Sequence, residues 1–264
     1  MSFWDALLLG IVQGLTEFLP VSSSGHLALF TSLLGADGLA EENLLFALLV
    51  HAATALATII VFRKDIKELS LGVFQKQNKN ARLFAGYIIV SMIPAIGVGL
   101  FFEKEITALF GNNLALVGVM LCITAVLLFI TDRTPEKKQP LTFGIALIIG
   151  VAQAIAILPG ISRSGATIAT ALLIGTARPE AARFSFLMVI PLIFGSMAKS
   201  LLDHGAASFD VSHVFPLVVG FVAALVSGVF ACTWMIALVK RSKLSYFAVY
   251  CLIVGVAATV VAWS

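Results

Sequence analysis

Six uninterrupted apolar runs lie along the chain, at 44–62, 83–102, 114–130, 184–202, 214–239 and 244–263. Each is close to the roughly 20 residues that a helix needs to span a bilayer core, so the pattern predicts six transmembrane helices. Two other apolar stretches, 3–34 and 141–174, are broken in the middle. Pro20 and the serines Ser22, Ser23 and Ser24 interrupt the first, and Pro159-Gly160 with Ser162-Arg163-Ser164 interrupts the second. Their halves, about 10–17 residues each, are short for a crossing. They predict re-entrant helix–loop–helix hairpins, because polar backbone at membrane depth must be buried in protein. Two short helices joined by an external loop are the alternative.

The two interruptions are copies. Sliding the sequence 140 positions onto itself places Gly10 on Gly150, Gln13 on Gln153, Ser22 on Ser162, Ser24 on Ser164, Gly25 on Gly165 and Phe46 on Phe186. The chain therefore divides into two repeats of one membrane domain, 1–131 and 132–264, each with one hairpin (3–34, 141–174) and three crossings. Three is odd, so the second repeat is inverted relative to the first. The hairpin tips are expected to meet near the membrane midplane about a pseudo-two-fold axis. The fold class expected is an all-α polytopic membrane protein built as an inverted repeat, with six transmembrane helices and two re-entrant hairpins.

Composition agrees: 60% of residues are apolar, 12% are charged and the mean hydropathy is +1.05, against about 25% charged residues in a soluble domain. The net charge of +3 gives no reason to expect a nucleic-acid partner. Cys122, Cys232 and Cys251 lie within apolar runs without CxxC spacing and read as reduced thiols. The start, Met1-Ser2-Phe3-Trp4-Asp5, lacks the basic region of a cleavable signal.

Charge placement orients the chain. With hairpins that return to the side they leave, one side collects Arg63, Lys64, Lys67, Lys76, Lys79, Arg82, Arg133, Lys137, Lys138, Arg178, Arg183, Lys240, Arg241 and Lys243. The other receives Lys104 and Lys199 with Asp5, Asp37, Glu41, Glu42, Glu103, Glu105, Asp203 and Asp210. Fourteen basic residues against two make the first side cytoplasmic. The termini and the first hairpin are then expected on the outer side.

Arg163 is left over, inside the second tip, where a guanidinium demands an anionic partner. Gln13 and Glu17, four apart, share a helix face leading into the first tip. Ser22, Ser23, Ser24, Gly25 and His26 follow, and the second tip brings Ser162, Ser164, Gly165 and Thr167. A guanidinium fork with hydroxyl and amide donors suits a phosphate-bearing ligand. A carboxylate beside that anion calls for a divalent cation or a proton between them. Each residue has a plainer structural role open to it: the serines as helix N-caps, Glu17 as a packing acid, His26 as a satisfied histidine. His51, Asn43 and Lys199 read as packing or interface residues.

The strings Gln13-Gly14-Leu15-Thr16-Glu17-Phe18-Leu19-Pro20-Val21-Ser22-Ser23-Ser24-Gly25-His26 and Pro159-Gly160-Ile161-Ser162-Arg163-Ser164-Gly165-Ala166-Thr167 resemble the two signature motifs of the undecaprenyl-pyrophosphate phosphatase, or bacitracin-resistance, family. The likeness runs over essentially the whole chain, Arg183-Phe184-Ser185-Phe186-Leu187 included. It implies hydrolysis of the C55 prenyl diphosphate carrier to its monophosphate and inorganic phosphate. The carrier is thereby recycled for peptidoglycan synthesis, and resistance to bacitracin, which competes by sequestering that substrate, follows.

The resemblance further implies a divalent metal, Mg2+ with Ca2+ as the alternative, on Glu17 and with Gln13 as a second ligand candidate. Gln13 fills a slot that is Glu or Gln in the family, so a single motif carboxylate remains. Also implied are a bacterial inner-membrane location, a site open to the extracytoplasmic side, and a homodimer as one arrangement. Glu17, Ser23, His26 and Arg163 are the catalytic candidates. Gln13, Ser22, Ser24, Gly25, Ser162, Arg163, Ser164, Gly165 and Thr167 are the diphosphate-binding ones. Either Ser23 attacks phosphorus with His26 handling the proton, or His26 is itself the nucleophile or acid, or Glu17 activates water. A polyprenyl-phosphate flippase is the non-enzymatic alternative.

Overall fold

The computed structural model describes residues 1–34, 40–75, 77–109, 113–135, 137–204, 214–240 and 244–263. Of the charges counted above, Lys76, Asp37, Asp210, Arg241 and Lys243 lie outside the described residues, as do the side chains of Glu41, Glu42 and Lys240 and that of the packing candidate Asn43.

The described residues are helical throughout, apart from turns and one isolated bridge between Gln139 and Thr176. Among the described residues six helices are long and apolar enough to cross a membrane: α3 (Ala40–Val61), α5 (Lys79–Phe101), α7 (Leu114–Asp132), α10 (Arg178–His204), α11 (Val214–Lys240) and α12 (Ser245–Trp263). This is a polytopic helical membrane protein. Its apolar side chains remain exposed along these helices (Ile89, Val126, Val226 and Val260 among them), as expected where lipid replaces water.

Both broken stretches are helix pairs. The first is α1 (Phe3–Phe18) with α2 (Ser23–Leu34), and the second is α8 (Phe143–Ile155) with α9 (Arg163–Ile174). Two further helices, α4 (Arg63–Phe74) and α6 (Glu103–Leu109), occupy segments that the apolar pattern leaves as connections. α4 carries Arg63, Lys64 and Lys67 beside exposed Leu71 and Phe74, an amphipathic composition rather than a spanning one.

Local chemistry sets the helix starts. Ser2 and Asp5 form a capping box on α1, while Thr142, Asn78 and Asn113 cap α8, α5 and α7. Gly175, at φ +112, ends α9 in the left-handed region that glycine adopts without steric cost.

The two pairs start at opposite ends of the bundle. α1 runs alongside α3, with Ala6 and Leu9 clustered with Phe46 and Val50, and Phe18 with Ala57. Its start therefore lies at the N-terminal end of α3. α8 begins where Phe143 meets Tyr87 near the start of α5, ring centroids 4.8 Å apart. At that same end Arg183 bonds Asp65 of α4 at 2.6 Å and Gln139 N–H donates to Gly175 C=O at 2.8 Å. Segments that the charge count places together are thus together. At the far end Lys199 bridges Glu103 and Asp203, each at 2.6 Å.

The packing is reciprocal. α1 lies on α11 as α8 lies on α5, while α7 lies on α12 and α3 on α10. Close backbone approaches repeat accordingly. A Cβ on Gly10 would stand 2.4 Å from Gly220 O, and one on Gly150 2.3 Å from Ser91 O. Across the centre, a Cβ on Gly118 would stand 2.6 Å from Gly255 O and one on Gly255 2.7 Å from Gly118 O. Small residues let helix backbones approach closely in a membrane, where packing contributes much of the association.

Candidate active site

Both polar strings become tight turns whose tips touch. A Cβ on Gly25 would meet Gly160 Cα at 3.3 Å, and one on Gly165 would meet Pro20 Cβ at 3.2 Å. Ser164 Oγ donates to Leu19 C=O across the join, at 3.2 Å. Neighbouring helices hold the turns. Ser162 N–H donates to Thr124 Oγ1 of α7 at 3.1 Å, and Cys251 of α12 contacts Pro20 C=O at 3.5 Å.

Within each turn the first serine caps the next helix. Ser22 Oγ accepts from Gly25 N–H at 3.3 Å and Ser162 Oγ from Gly165 N–H at 3.1 Å. Ser24 and Ser164 lie at 3.4 and 3.3 Å from those capping hydroxyls. The turns differ in backbone: Gly160 takes φ +94, whereas in the first turn the non-glycine residue Ser22 takes φ +70. Such a conformation costs energy and persists only when its surroundings enforce it.

Glu17 is the hub. Its carboxylate, 7% exposed, accepts from Gln13 Nε2 at 2.9 Å, from Ser23 Oγ at 2.7 Å and from Arg163 Nη2 in a short ion pair. Arg163, 17% exposed, thus finds the anion that its depth requires. Ser23 and Arg163 stand at equivalent positions of the two repeats, 140 apart, and converge on one carboxylate. Two buried polar atoms of the cluster, Gln13 Oε1 and Arg163 Nη1, have no hydrogen-bond partner among the described residues. Gln13, Ser22, Ser162, Ser164 and Thr167 are buried, whereas Ser23, Ser24 and Arg163 are half-buried, so the cluster is reached from the Ser23–Arg163 side.

Other candidates serve differently. His26 donates Nδ1–H to Ser22 C=O at 2.9 Å, and its Nε2 lies 2.8 Å from the Tyr250 hydroxyl, the two rings stacked with centroids 5.5 Å apart. Ser23 therefore bonds Glu17, while both nitrogens of His26 have other partners. Thr167 is fully buried, bonded to Arg163 C=O at 2.9 Å and to Ser185 of α10 at 2.5 Å, and so pins α9 to α10.

His51, read from sequence as a packing residue, instead places Nε2 3.9 Å from Glu17 Oε2. An ionisable group inside an apolar run was the available signal. Tyr250 gave none, being 224 residues from His26 in a largely apolar helix. Lys199 lies far from the tips, in the Glu103–Asp203 bridge. No cluster of three or more His, Cys, Asp or Glu side chains suited to a metal occurs among the described residues.

Fold and site together define a polytopic membrane protein with a buried hydroxyl–carboxylate–guanidinium cluster where two opposed helical hairpins meet. Comparison with known proteins assigns the lineage. The chain belongs to the family described as Bacitracin resistance protein BacA, whose pattern matches residues 6–257. A protein of Christiangramia forsetii named undecaprenyl-diphosphatase is 53% identical over all of both chains. One of Bacteroides fragilis with the same name is 48% identical over 99% of this chain and 98% of its own. Another so named, from Korarchaeum cryptofilum, is 41% identical over 97% and 98%.

Proposed function

We propose that this protein is an undecaprenyl-diphosphatase, an integral membrane enzyme. It hydrolyses the terminal phosphoanhydride of undecaprenyl diphosphate to leave undecaprenyl phosphate and inorganic phosphate. Family membership and the shared name of relatives aligned over nearly the full chain support that activity. The observation that carries the chemistry is the Ser23 Oγ–H donating to Glu17 at 2.7 Å, in a carboxylate that Arg163 also holds.

Ser23 Oγ attacks the terminal phosphorus while its proton passes to Glu17, an arrangement of nucleophile and adjacent base that recurs in covalent catalysis. The bond to the bridging oxygen breaks, prenyl monophosphate leaves, and water then hydrolyses the phosphoserine. Arg163 presents the unpartnered Nη1 to phosphate oxygens, where a planar fork with fixed charge stabilises the transferring group. His26, fixed by Ser22 and Tyr250, keeps the first turn in its strained shape.

A divalent metal, Mg2+ or alternatively Ca2+, fits this donor set. Glu17 supplies one carboxylate, Gln13 Oε1 is a buried acceptor without a partner, and Mg2+ commonly completes its shell with substrate phosphates. When bound it would neutralise charge on the diphosphate.

Orientation belongs to the same reading. Both helical pairs are re-entrant, the basic end is cytoplasmic and both termini are outside, so the first hairpin opens the site to the extracytoplasmic face of a bacterial inner membrane. The fourteen-to-two distribution of basic residues supports it. The prenyl tail stays among helices or in lipid while the diphosphate reaches the tips. Bacitracin resistance follows from continued turnover of the carrier that the drug sequesters.

Phosphate release by purified protein from a long-chain prenyl diphosphate, with and without chelator, tests the activity. Rapid quench with mass-spectrometric mapping tests the nucleophile, with phosphate expected on Ser23. Turnover by Ser23→Ala, or phosphate trapped on His26, overturns that role.

A further inference from the structure

We propose that His51 is a direct ligand of the divalent metal, completing with Glu17 and Gln13 a mixed nitrogen–oxygen site. The inference rests on the metal reading above and adds to it both a ligand and a preference among metals.

Three observations carry it. The first is which nitrogen is available. His51 Nδ1 lies 2.7 Å from Ala47 C=O, and a carbonyl only accepts, so Nδ1 carries a hydrogen and Nε2 is the nitrogen that offers the lone pair in the neutral imidazole. Metal-bound histidines characteristically fix their second nitrogen in this way, often on a backbone carbonyl. His26 has the same Nδ1 anchor, on Ser22 C=O, but the Tyr250 hydroxyl occupies its Nε2.

The second is the spacing. Nε2 of His51 stands 3.9 Å from Glu17 Oε2, beyond hydrogen-bond reach. With metal–ligand bonds of about 2.1 Å, two donors on one metal lie roughly 3 to 4.2 Å apart, according to the angle between them. The gap between His51 and Glu17 falls inside that range. The lone pair and the carboxylate are both electron-rich, and a cation between them turns that opposition into attraction.

The third is the neighbouring acceptor. Gln13 sits one turn before Glu17, bonded to it through Nε2, and its Oε1 is buried without a partner. Buried side-chain acceptors are rarely left unpaired. Together the three residues offer a carboxylate oxygen, an amide oxygen and an imidazole nitrogen from α1 and α3. His51 is also the most open of them, 34% exposed.

A site containing an imidazole favours first-row metals such as Mn2+ or Zn2+ over Mg2+ and Ca2+, which prefer oxygen alone. The detergent-solubilised full chain should therefore bind Mn2+ at least about tenfold more tightly than Mg2+ in competition titrations.

Electron spin-echo envelope spectra of the Mn2+-loaded protein test ligation without reference to turnover. The wild type should show 14N modulation from a coordinated imidazole, converted to the 15N pattern when histidine is isotopically labelled. His51→Gln should abolish that modulation and weaken Mn2+ binding by about tenfold or more, and His26→Gln should leave it in place. Mn2+ bound without 14N modulation in the wild type overturns the role of His51 while leaving a metal on Glu17. Modulation that survives His51→Gln and disappears in His26→Gln assigns the ligand to His26 and overturns it equally. Absence of Mn2+ binding removes the metal reading together with this one. If His51→Gln fails to fold, modulation in the labelled wild type that persists in His26→Gln carries the assignment, and its loss there overturns it.

Discussion

Glu17→Gln should separate what the carboxylate does for stability from what it does for catalysis. The change keeps the shape and an acceptor oxygen but removes the charge. Arg163, 17% exposed, then remains deep in the protein without a counter-ion. Removing one member of a buried pair typically costs about 3–5 kcal/mol. The residual exposure of Arg163 and the retained amide oxygen bring the expected loss to about 2–3 kcal/mol. Ser23 also loses its proton acceptor, and a positioned base contributes roughly 10²–10⁴-fold, or about 3–5 kcal/mol on the barrier. Adding Arg163→Met removes the unpaired cation, so the double variant should regain most of the stability and none of the activity. Unfolding in mixed detergent micelles and phosphate release from prenyl diphosphate, measured on the same preparations, read the two effects separately. Turnover of Glu17→Gln within about threefold of wild type would exclude Glu17 as the base. A double variant as unstable as the single one would show that packing, not charge, was lost.

Arg163→Lys should lose about ten- to a hundredfold in phosphate release although the charge is kept, because an ammonium cannot hold Glu17 and a phosphate through one planar fork. Thr124→Val strands the Ser162 N–H, now bonded at 3.1 Å, and should destabilise the second turn by about 1–3 kcal/mol, read in the same unfolding assay. Gly118→Ala places a methyl 2.3 Å from Thr259 Oγ1 and should cost about 1–3 kcal/mol, whereas Gly97→Ala, with no atom within 4 Å of the new methyl, should be neutral or slightly stabilising. In spheroplasts, Ser2→Cys should react with an impermeant maleimide from outside and Lys67→Cys should not; the reverse pattern would overturn the orientation.

The sequence was legible where one physical rule acts alone. Hydrocarbon demands about 20 apolar residues per crossing, so all six long helices could be read from the apolar runs. Their ends could not: α5 starts at Lys79 and α10 at Arg178, where flanking polar residues continue the helix beyond the apolar segment. The polar strings marked Glu17, Ser23 and Arg163 as candidates in an otherwise apolar chain, and the structure brings the three into contact. Their hydrogen-bond partners depend on which helix stands opposite, and this local composition does not encode. His26 faces Tyr250 because α12 lies beside the first turn, and His51 faces Glu17 because α3 runs parallel to α1. The Ser22 cap was readable from residue type and position; its positive φ was not, since serine rarely adopts it.

The duplication itself explains why there is one site rather than two. Positions identical between the repeats mostly build the frame: Gly10 and Gly150 at close helix contacts, Ser22 and Ser162 as caps, Gly25 and Gly165 where the tips touch. Most of the groups to which the proposed function gives the chemistry stand at positions that differ. Glu17 corresponds to Ile157, Ser23 to Arg163 and His26 to Ala166. Two-fold packing brings both tips to one point, so identical tips would place like groups against each other. Two carboxylates there would repel a diphosphate, and two guanidiniums would leave one buried cation without a partner. One acid, one hydroxyl and one guanidinium satisfy each other through Glu17, and on the proposed function each is at hand for the phosphate. Gln153 marks the site that the second repeat does not build. It is fully buried and both amide atoms lack a partner among the described residues; Ile157 stands one turn on, where Gln13 has Glu17.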